Sequence, residues 1–180
     1  MKVFIAGPRA ISVLDAPVQE KLNNIYTKSY TVLVGDAGGV DSAVQRFYFS
    51  LGYGNVVVFA RDGIARNNIG GWEIRKIDVP HRSKGFSYYA EKDKAMANDA
   101  DFGFMIWNGE SKGTLNNIVN LLSAGKQTVV YLISEKAFYS VGDADSLHRL
   151  ISLCSSNTRL LFERLSKPSV ASAFQQISLF

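Results

Sequence analysis

One stretch constrains the fold more than any other: TVLVGDAGGVDSAVQRFYFSLG, from Thr31 to Gly52, where an apolar run meets a glycine-rich turn and then a helix-patterned segment. Thr31 to Val34 is continuous and rich in β-branched residues, as expected of a strand buried on both faces. Gly35, Gly38 and Gly39 permit positive φ and close backbone approach, and Asp36 or Asp41 is placed to cap the following helix. A helix that starts there points unpaired N–H groups and the positive end of its dipole above the strand ends, which favours an anion such as phosphate. The same residues also make a tight strand-to-helix connection without any ligand, so this turn alone defines an architecture and not a function.

At 180 residues, 47% apolar and 20% charged, the chain can bury one sizeable core and is short for two domains. No run approaches the ~20 apolar residues that cross a bilayer. The N-terminus leads into a strand pattern without a signal-peptide signature, so a cytoplasmic location is expected. The lone Cys154 excludes an internal disulfide and a cysteine-based zinc site, and is assigned to the core. With His81 and His148 as the two histidines, a catalytic metal cluster is not expected, and no metal or cofactor is assigned. The net charge of +4 is spread along the chain. Nucleic-acid binding is compatible with it but not indicated, and an anionic small ligand suits the excess equally well.

The chain opens with KVFIAGPR, a short buried strand (Val3 to Ala6) that ends in Gly7 and Pro8 and places Arg9 at its carboxyl end. Val18, Leu22, Ile25 and Tyr26 recur at helical spacing after Asp15, a capping candidate. The Thr31 strand and its glycine turn follow. Val40, Val44, Phe47, Tyr48 and Leu51 give the next helix an apolar face, which ends at Gly52 and Gly54, and NVVVFA (Asn55 to Ala60) is a third strand. Strand, helix, strand, helix, strand with short turns predicts parallel pairing through right-handed crossovers, a Rossmann-like start.

Arg61 to Ser87 breaks the rhythm. It is basic and glycine-rich, with alternation in WEIRKIDV that predicts a short edge strand, and the rest is read as a flap over the strand ends. Arg61, Arg66, Trp72, Arg75, His81 and Arg82 are candidates there, each more simply a solvated loop residue. YYAEKDKAMA then fits a helix that stops before Asn98, with Tyr89, Lys92 or Asp93, and Met96 on one side. FGFMIW (Phe102 to Trp107) is a fourth buried strand, followed by a second glycine-bearing turn and a helix with Leu115, Ile118, Val119 and Leu122 on its core face. Thr128 to Ile133 is the fifth strand. Beyond it, KAFYSV adds a candidate short strand, DADSLHRLISLC an acid-capped helix with His148 on its surface, and LLFERL and SVASAFQQISLF further short helices. The expected class is α/β, a three-layer Rossmann-like sandwich with a mostly parallel sheet of about five strands. One domain spans 1–180, with 61–87 a flap insertion and 134–180 a C-terminal helical extension. The apolar ISLF end needs cover, and a homo-oligomer is expected.

Two of these segments resemble a family. GDAGGVDSAVQ is similar to the GDARGADRAAQ-type turn, and DKAMANDADFGFMIWNGESKGT to the NQxMADxADxLIAFWDGxSxGT-type segment, of small bacterial and phage SLOG-superfamily proteins of the YspA-like group. The wider superfamily includes LOG phosphoribohydrolases and the DprA fold, and nucleoside 2-deoxyribosyltransferases are a related Rossmannoid group. The resemblance covers roughly Lys2 to Ile133. It implies a Rossmannoid fold and a ligand that is a nucleotide, a nucleoside or a nucleotide-derived sugar phosphate. Carried over by position, Gly7 and Arg9 match the first-strand G-x-R. Gly35, Asp36, Gly38, Gly39, Asp41 and Ser42 match a phosphate- or sugar-contacting turn. Trp107, Asn108, Gly109, Ser111, Gly113 and Thr114 match a second turn, whose amides and hydroxyls cradle an anion. Three departures bear on activity. Asn108 stands where aspartate is commoner, and Asp93 falls in a helix that usually begins with an Arg-Asn or Asn-Gln pair. Asn116 and Asn117 occupy the region where hydrolase and transferase relatives place a catalytic glutamate, and asparagine is neither a carboxylate nucleophile nor a general base.

Three functions are therefore expected candidates. The first is binding of a nucleotide or nucleotide-derived ligand by a sensor or sequestering protein. The second is cleavage or transfer at an N-glycosidic bond, with Asp93 or Glu110 in place of the missing glutamate. The third is a DNA-processing adaptor that binds single strands, resting on the basic flap and the fold alone. Asp36 as a turn former, Asp41 as a cap and Glu110 as an exposed loop charge are the simpler readings of the other acids near the site.

Overall fold

A computed structural model describes residues 1–77 and 86–166. The strands are β1 (Lys2–Ala6), β2 (Thr31–Gly35), β3 (Val56–Arg61), β4 (Glu73–Ile77), β5 (Phe102–Trp107), β6 (Thr128–Leu132) and β7 (Ala137–Val141). The helices are α1 (Ala16–Thr27), α2 (Val40–Ser50), α3 (Phe86–Asp99), α4 (Lys112–Ser123), α5 (Ala144–Ser152) and α6 (Ser156–Ser166). All seven strands form one sheet in the order β4-β3-β2-β1-β5-β6-β7, parallel throughout except for antiparallel β7.

Because successive strand residues face opposite sides of a sheet, each apolar run supplies two cores. Val3, Ile5, Val32, Val34, Val58, Phe104 and Ile106 join α1 and α2 on one face. Phe4, Leu33, Phe59, Met105 and Trp107 join α3, α4 and α5 on the other. The sandwich thus has three layers, and α/β with a mostly parallel, Rossmann-like sheet is the architecture.

The sheet has seven strands where about five were expected. The two extra strands are edges, β4 from the alternating WEIRKIDV and β7 from KAFYSV. Both are half-exposed, so neither carries the continuous apolar run that marked the central five. The proposed helical extension after Ile133 accordingly begins by adding a strand to the sheet, and part of the proposed flap is the β4 edge.

The caps also differ from expectation. Gly39, not an aspartate, is the N-cap of α2, and its φ of 72° brings its backbone against Arg9. Asp15 stands at the N-cap of α1 without capping it, since its carboxylate instead accepts a hydrogen bond from the Tyr131 hydroxyl at 2.9 Å. Helix α3 runs on through Asn98 to Asp99, because Ala100 still donates to the Met96 carbonyl and Asp99 is held by Lys2 and Arg75, each at 2.5 Å. In α5 the expected acidic cap is Asp143, in a reciprocal capping box with Ser146. Cys154 is buried and His148 exposed, as expected. His81, Arg82, the SVASAFQQISLF segment with its apolar end, and the Tyr89 side chain lie outside the described residues.

Gly7 is where β1 leaves the sheet. A Cβ there would stand 2.5 Å from the Ile106 carbonyl oxygen and 2.7 Å from Val40 Cγ2. Gly7→Ala is therefore expected to destabilise the protein by about 1–3 kcal/mol through forced displacement of β1 from α2, read as a lower urea midpoint with unchanged m-value. An unchanged midpoint would show that this junction tolerates a side chain.

Candidate functional site

The chain moves across the sheet in one direction from β1 to β4 and in the other from β5 to β6. Right-handed crossovers then put α1 and α2 on one face and α3 and α4 on the other. The connections leaving β1 and β5 diverge, and a crevice opens between the carboxyl ends of these neighbours, the position at which open α/β sheets take their ligands. A cavity of about 410 Å³ lies there, within the range of roughly 300–1,000 Å³ usual for small-molecule sites.

Its walls come from four segments. Ala6 ends β1 and Gly7 and Arg9 follow it, Ala37 lies in the turn before α2 and Asp41 in its first turn, and Lys92, Asp93 and Met96 project from α3. Ser111, Lys112, Gly113, Thr114 and Asn117 open α4.

At α4 the donors are arranged by local bonding. The Asn108 side-chain oxygen accepts the N–H groups of Glu110 (3.1 Å) and Ser111 (2.9 Å), folding an Asx turn in which asparagine serves as an aspartate would. Ser111 is the N-cap, and its Oγ accepts from the Thr114 N–H and, at 3.0 Å, from the Thr114 hydroxyl. The Ser111 hydroxyl is thereby left as a donor at the cavity, beside the N–H of Gly113, which as a first-turn residue has no intrahelical acceptor. The turn is braced from behind. Trp107 is fully buried, with its indole N–H donating to the Ser111 carbonyl at 3.1 Å, and the Thr158 hydroxyl of α6 donates to the Gly109 carbonyl at 2.6 Å.

The opposite wall is formed by Asp41, Lys92 and Asp93 and backed by Asp36 and Arg66, a single group of charges. Asp36 is 4% exposed, and its carboxylate takes the Lys92 ammonium at 2.8 Å and the Arg66 guanidinium in a two-pronged contact at 2.9 and 2.8 Å. Burial alone would raise its pKa, yet Arg66 and Lys92 hold it well below the usual carboxylate range. Asp41 is buried beside it, accepting the Ala37 N–H at 3.2 Å. Burial pushes Asp41 up to about 6 against the pull of Lys92 and that N–H, with Asp36 adding repulsion. Half-buried Asp93 is pushed up to about 7, again chiefly by burial, with Asp41 and Asp36 opposing its ionisation and Lys92 and Arg9 favouring it. The cavity therefore faces a carboxyl that gains or loses a proton near neutrality, a property concentrated at functional sites.

Of the residues expected from the sequence, Gly7, Arg9, Asp41, Asp93, Ser111, Gly113 and Thr114 line the cavity together. Gly35, Asp36, Gly38, Gly39, Ser42, Trp107, Asn108 and Gly109 build the turns behind it and do not line it. Gly35 is required to lack a side chain, since a Cβ there would run into the Asp41 carboxylate. Ser42 closes on the Gly39 carbonyl. Glu110 is exposed and borders a separate shallow depression with Ser155 and Thr158. Neither Asp36 nor Asp41 caps α2, contrary to the expectation that one of them would, because Lys92 and Arg66 engage Asp36 and the Ala37 amide engages Asp41. Among the flap candidates, Arg66 secures Asp36, the Trp72 indole donates to the Tyr53 carbonyl, Arg75 pairs with Asp99 and Glu73, and Arg61 pairs with Asp62. None of these four lines the cavity.

Sequence reasoning passed over Lys92 as a site residue and took Asn117 only as a lost glutamate. A lysine four residues before the core residue Met96, on the helix side that faces the sheet, was the available signal for the first, because such a charge needs a buried partner. No family model and no curated protein matches the chain.

Asp41 and Asp93 link stability to pH. Both have an ordinary pKa of 3.8 and keep their protons up to about 6 and about 7 when folded. Between about pH 4 and 7 the folded state binds more protons than the unfolded chain, so rising pH costs stability there. Asp93→Asn removes one share of that cost. The variant is expected to be more stable than the parent by ~1–3 kcal/mol at about pH 8, with the gap closing towards about pH 4. Urea unfolding across that range checks it, and a pH-independent difference would refute it.

Proposed function

We propose that the cavity between the ends of β1 and β5 binds a nucleotide or nucleotide-derived ligand, and that the protein acts through this binding as a sensor or sequestering protein. One observation carries the reading. A cavity of about 410 Å³ at the switch point has donors on one wall, at the start of α4, and acceptors on the other. The Ser111 hydroxyl, the Gly113 N–H and the cationic groups of Arg9 and Lys112 suit a phosphate at the helix N-terminus. The carboxyls of Asp41 and Asp93 suit the hydroxyl or amine groups of what the phosphate carries. The resemblance of GDAGGVDSAVQ and WNGESKGT to SLOG-superfamily turns points to the same ligand class.

A second reading is favoured by Asp93, which lines the cavity and titrates near neutrality. In N-glycosidic bond hydrolysis its carboxyl would donate a proton to the departing base nitrogen as the C–N bond breaks. Water would then add to the sugar carbon and return a proton to the carboxylate. Glu110, outside the cavity, has no part in this version.

Calorimetry with mono-, di- and cyclic nucleotides and ribose 5-phosphate is expected to give micromolar or tighter binding to at least one. Gly113→Glu provides the control. Its Cβ meets open space and an acid in the first turn favours the helix, so folding is preserved, while anion affinity falls at least tenfold. A folded parent protein that binds none of the panel would overturn the proposal. Chromatography after incubation separates the two readings: release of free base or sugar phosphate, lost in Asp93→Asn, selects the enzyme.

A further inference from the structure

We infer that the cavity takes up its anionic ligand together with one proton, which resides on the Asp93 carboxyl, so that the ligand is held at neutral pH and released as pH rises, an inference that rests on the nucleotide-binding reading. Three carboxyls, of Asp36, Asp41 and Asp93, gather around Lys92, and Lys92 and Arg66 both bond the same one, Asp36. Asp41 has the Ala37 N–H. Asp93 lines the cavity, half-buried, and among the described residues no hydrogen bond reaches its carboxyl. The charged groups that face it there are Lys92 on α3 itself, Asp41 of α2, Asp36 in the turn before α2 and Arg9 after β1. Lys112 of α4 stands on the other wall.

A carboxylate without a bonded cation is costly in such a cluster, and the cost is avoided by keeping the proton. Burial and the neighbouring acids accordingly push Asp93 up to about 7. The first turn of α4, where the Ser111 hydroxyl and the Gly113 N–H suit a phosphate, opens into the same cavity of about 410 Å³. Phosphate and Asp93 would then share one enclosed space, in which charges are screened far less than in bulk water. An ionised Asp93 repels the phosphate. A protonated one does not, and it has an O–H to donate to a phosphate oxygen or to the sugar. By linkage the bound anion in turn strengthens the hold of Asp93 on its proton.

The sign of the pH dependence follows. Below about pH 7 Asp93 is protonated with or without ligand, and binding draws no proton from solution. Above that pH the free site has lost the proton and must regain it to bind, so affinity falls, by at most about tenfold per pH unit. A phosphate monoester, whose second pKa is about 6, is already dianionic in this range, so its own titration does not produce the fall.

Calorimetry at about pH 7 with ribose 5-phosphate and the 5′-monophosphates of adenosine, guanosine, cytidine and uridine selects the tightest binder. That compound is then titrated at about pH 8.5, and at about pH 7.5 in two buffers of different ionisation enthalpy, into the parent, Asp93→Asn and Lys112→Gln. The parent is expected to lose about tenfold in affinity between about pH 7 and about pH 8.5, and to take up about half a proton or more per ligand at about pH 7.5. Asp93→Asn is expected to bind equally at both ends of the range and to take up none. Lys112→Gln is expected to bind more weakly throughout, with the same fall and the same uptake as the parent, because it loses a charge on the other wall and keeps the titrating carboxyl. A parent whose affinity is constant or rises with pH would overturn the inference. So would a fall that persists in Asp93→Asn, or one that disappears with Lys112 instead. In each of these cases the binding proposal itself stands. A parent that binds none of the five compounds at about pH 7 removes the binding proposal, and this inference with it.

Discussion

The handedness of the crossovers is the constraint from which the rest of this molecule follows. A right-handed strand-helix-strand unit puts its helix on one face when the chain advances across the sheet one way and on the other face when it returns. With β1 and β5 adjacent and their onward connections running to opposite faces, no helix can cover the sheet edge between them. The cavity is thus a consequence of strand order. Side chains determine only what it is lined with, and four separate segments converge there because each begins at the carboxyl end of a strand or packs against one.

Within that crevice the distribution of charge turns on a single lysine. Lys92 is 6% exposed and faces three carboxyls, and it bonds Asp36, which already has Arg66. Asp36 therefore stays ionised, and Asp41 and Asp93 are left with burial and mutual repulsion that favour their neutral forms. A buried ion pair contributes little net stability by itself. Its effect here is to join three segments distant in sequence and to make neighbouring acids differ in proton affinity. The loop after β3 is tied into the same junction, because Asn67 donates to the Asp36 carbonyl, and Gln45 donates to the Gly35 and Asn67 carbonyls and accepts the Ile69 N–H.

The central architecture was legible because it is written in local pattern. The apolar runs of β1, β2, β3, β5 and β6 are continuous, and the glycines at 35, 38, 39 and 113 mark where the strands yield to helices. Long-range partnerships left no such trace. Asp36 and Asp41 look like caps in the sequence because the nearest backbone donors belong to α2, and only the tertiary approach of Arg66 and Lys92 gives Asp36 another partner. Trp107 and Gly109 belong to a motif that reads as a ligand turn, but their part is to support it. The indole fixes the Ser111 carbonyl, and Gly109, with a φ of 79°, turns the chain beside Leu132 and Cys154. Asn117 was visible only as a substitution. That its side-chain oxygen is buried with no hydrogen-bond partner among the described residues is a fact of packing that no spacing rule reports.

The two turns that frame the cavity are held by different means. The β2–α2 turn is fixed by ion pairs to Arg66 and Lys92 and by the close approach of Gly39 to the Arg9 backbone. The β5–α4 turn depends on the chain's later elements: α6 reaches it through Thr158 and the Gly109 carbonyl, and Cys154, its thiol pushed up to about 11 by burial, packs beneath it without reactive character. The donors aimed at the cavity are therefore carried by the turn whose support comes from outside the first five central strands. The segment after Ile133, the least familiar part of the sequence, is thus structurally coupled to the half of the site that would meet an anion.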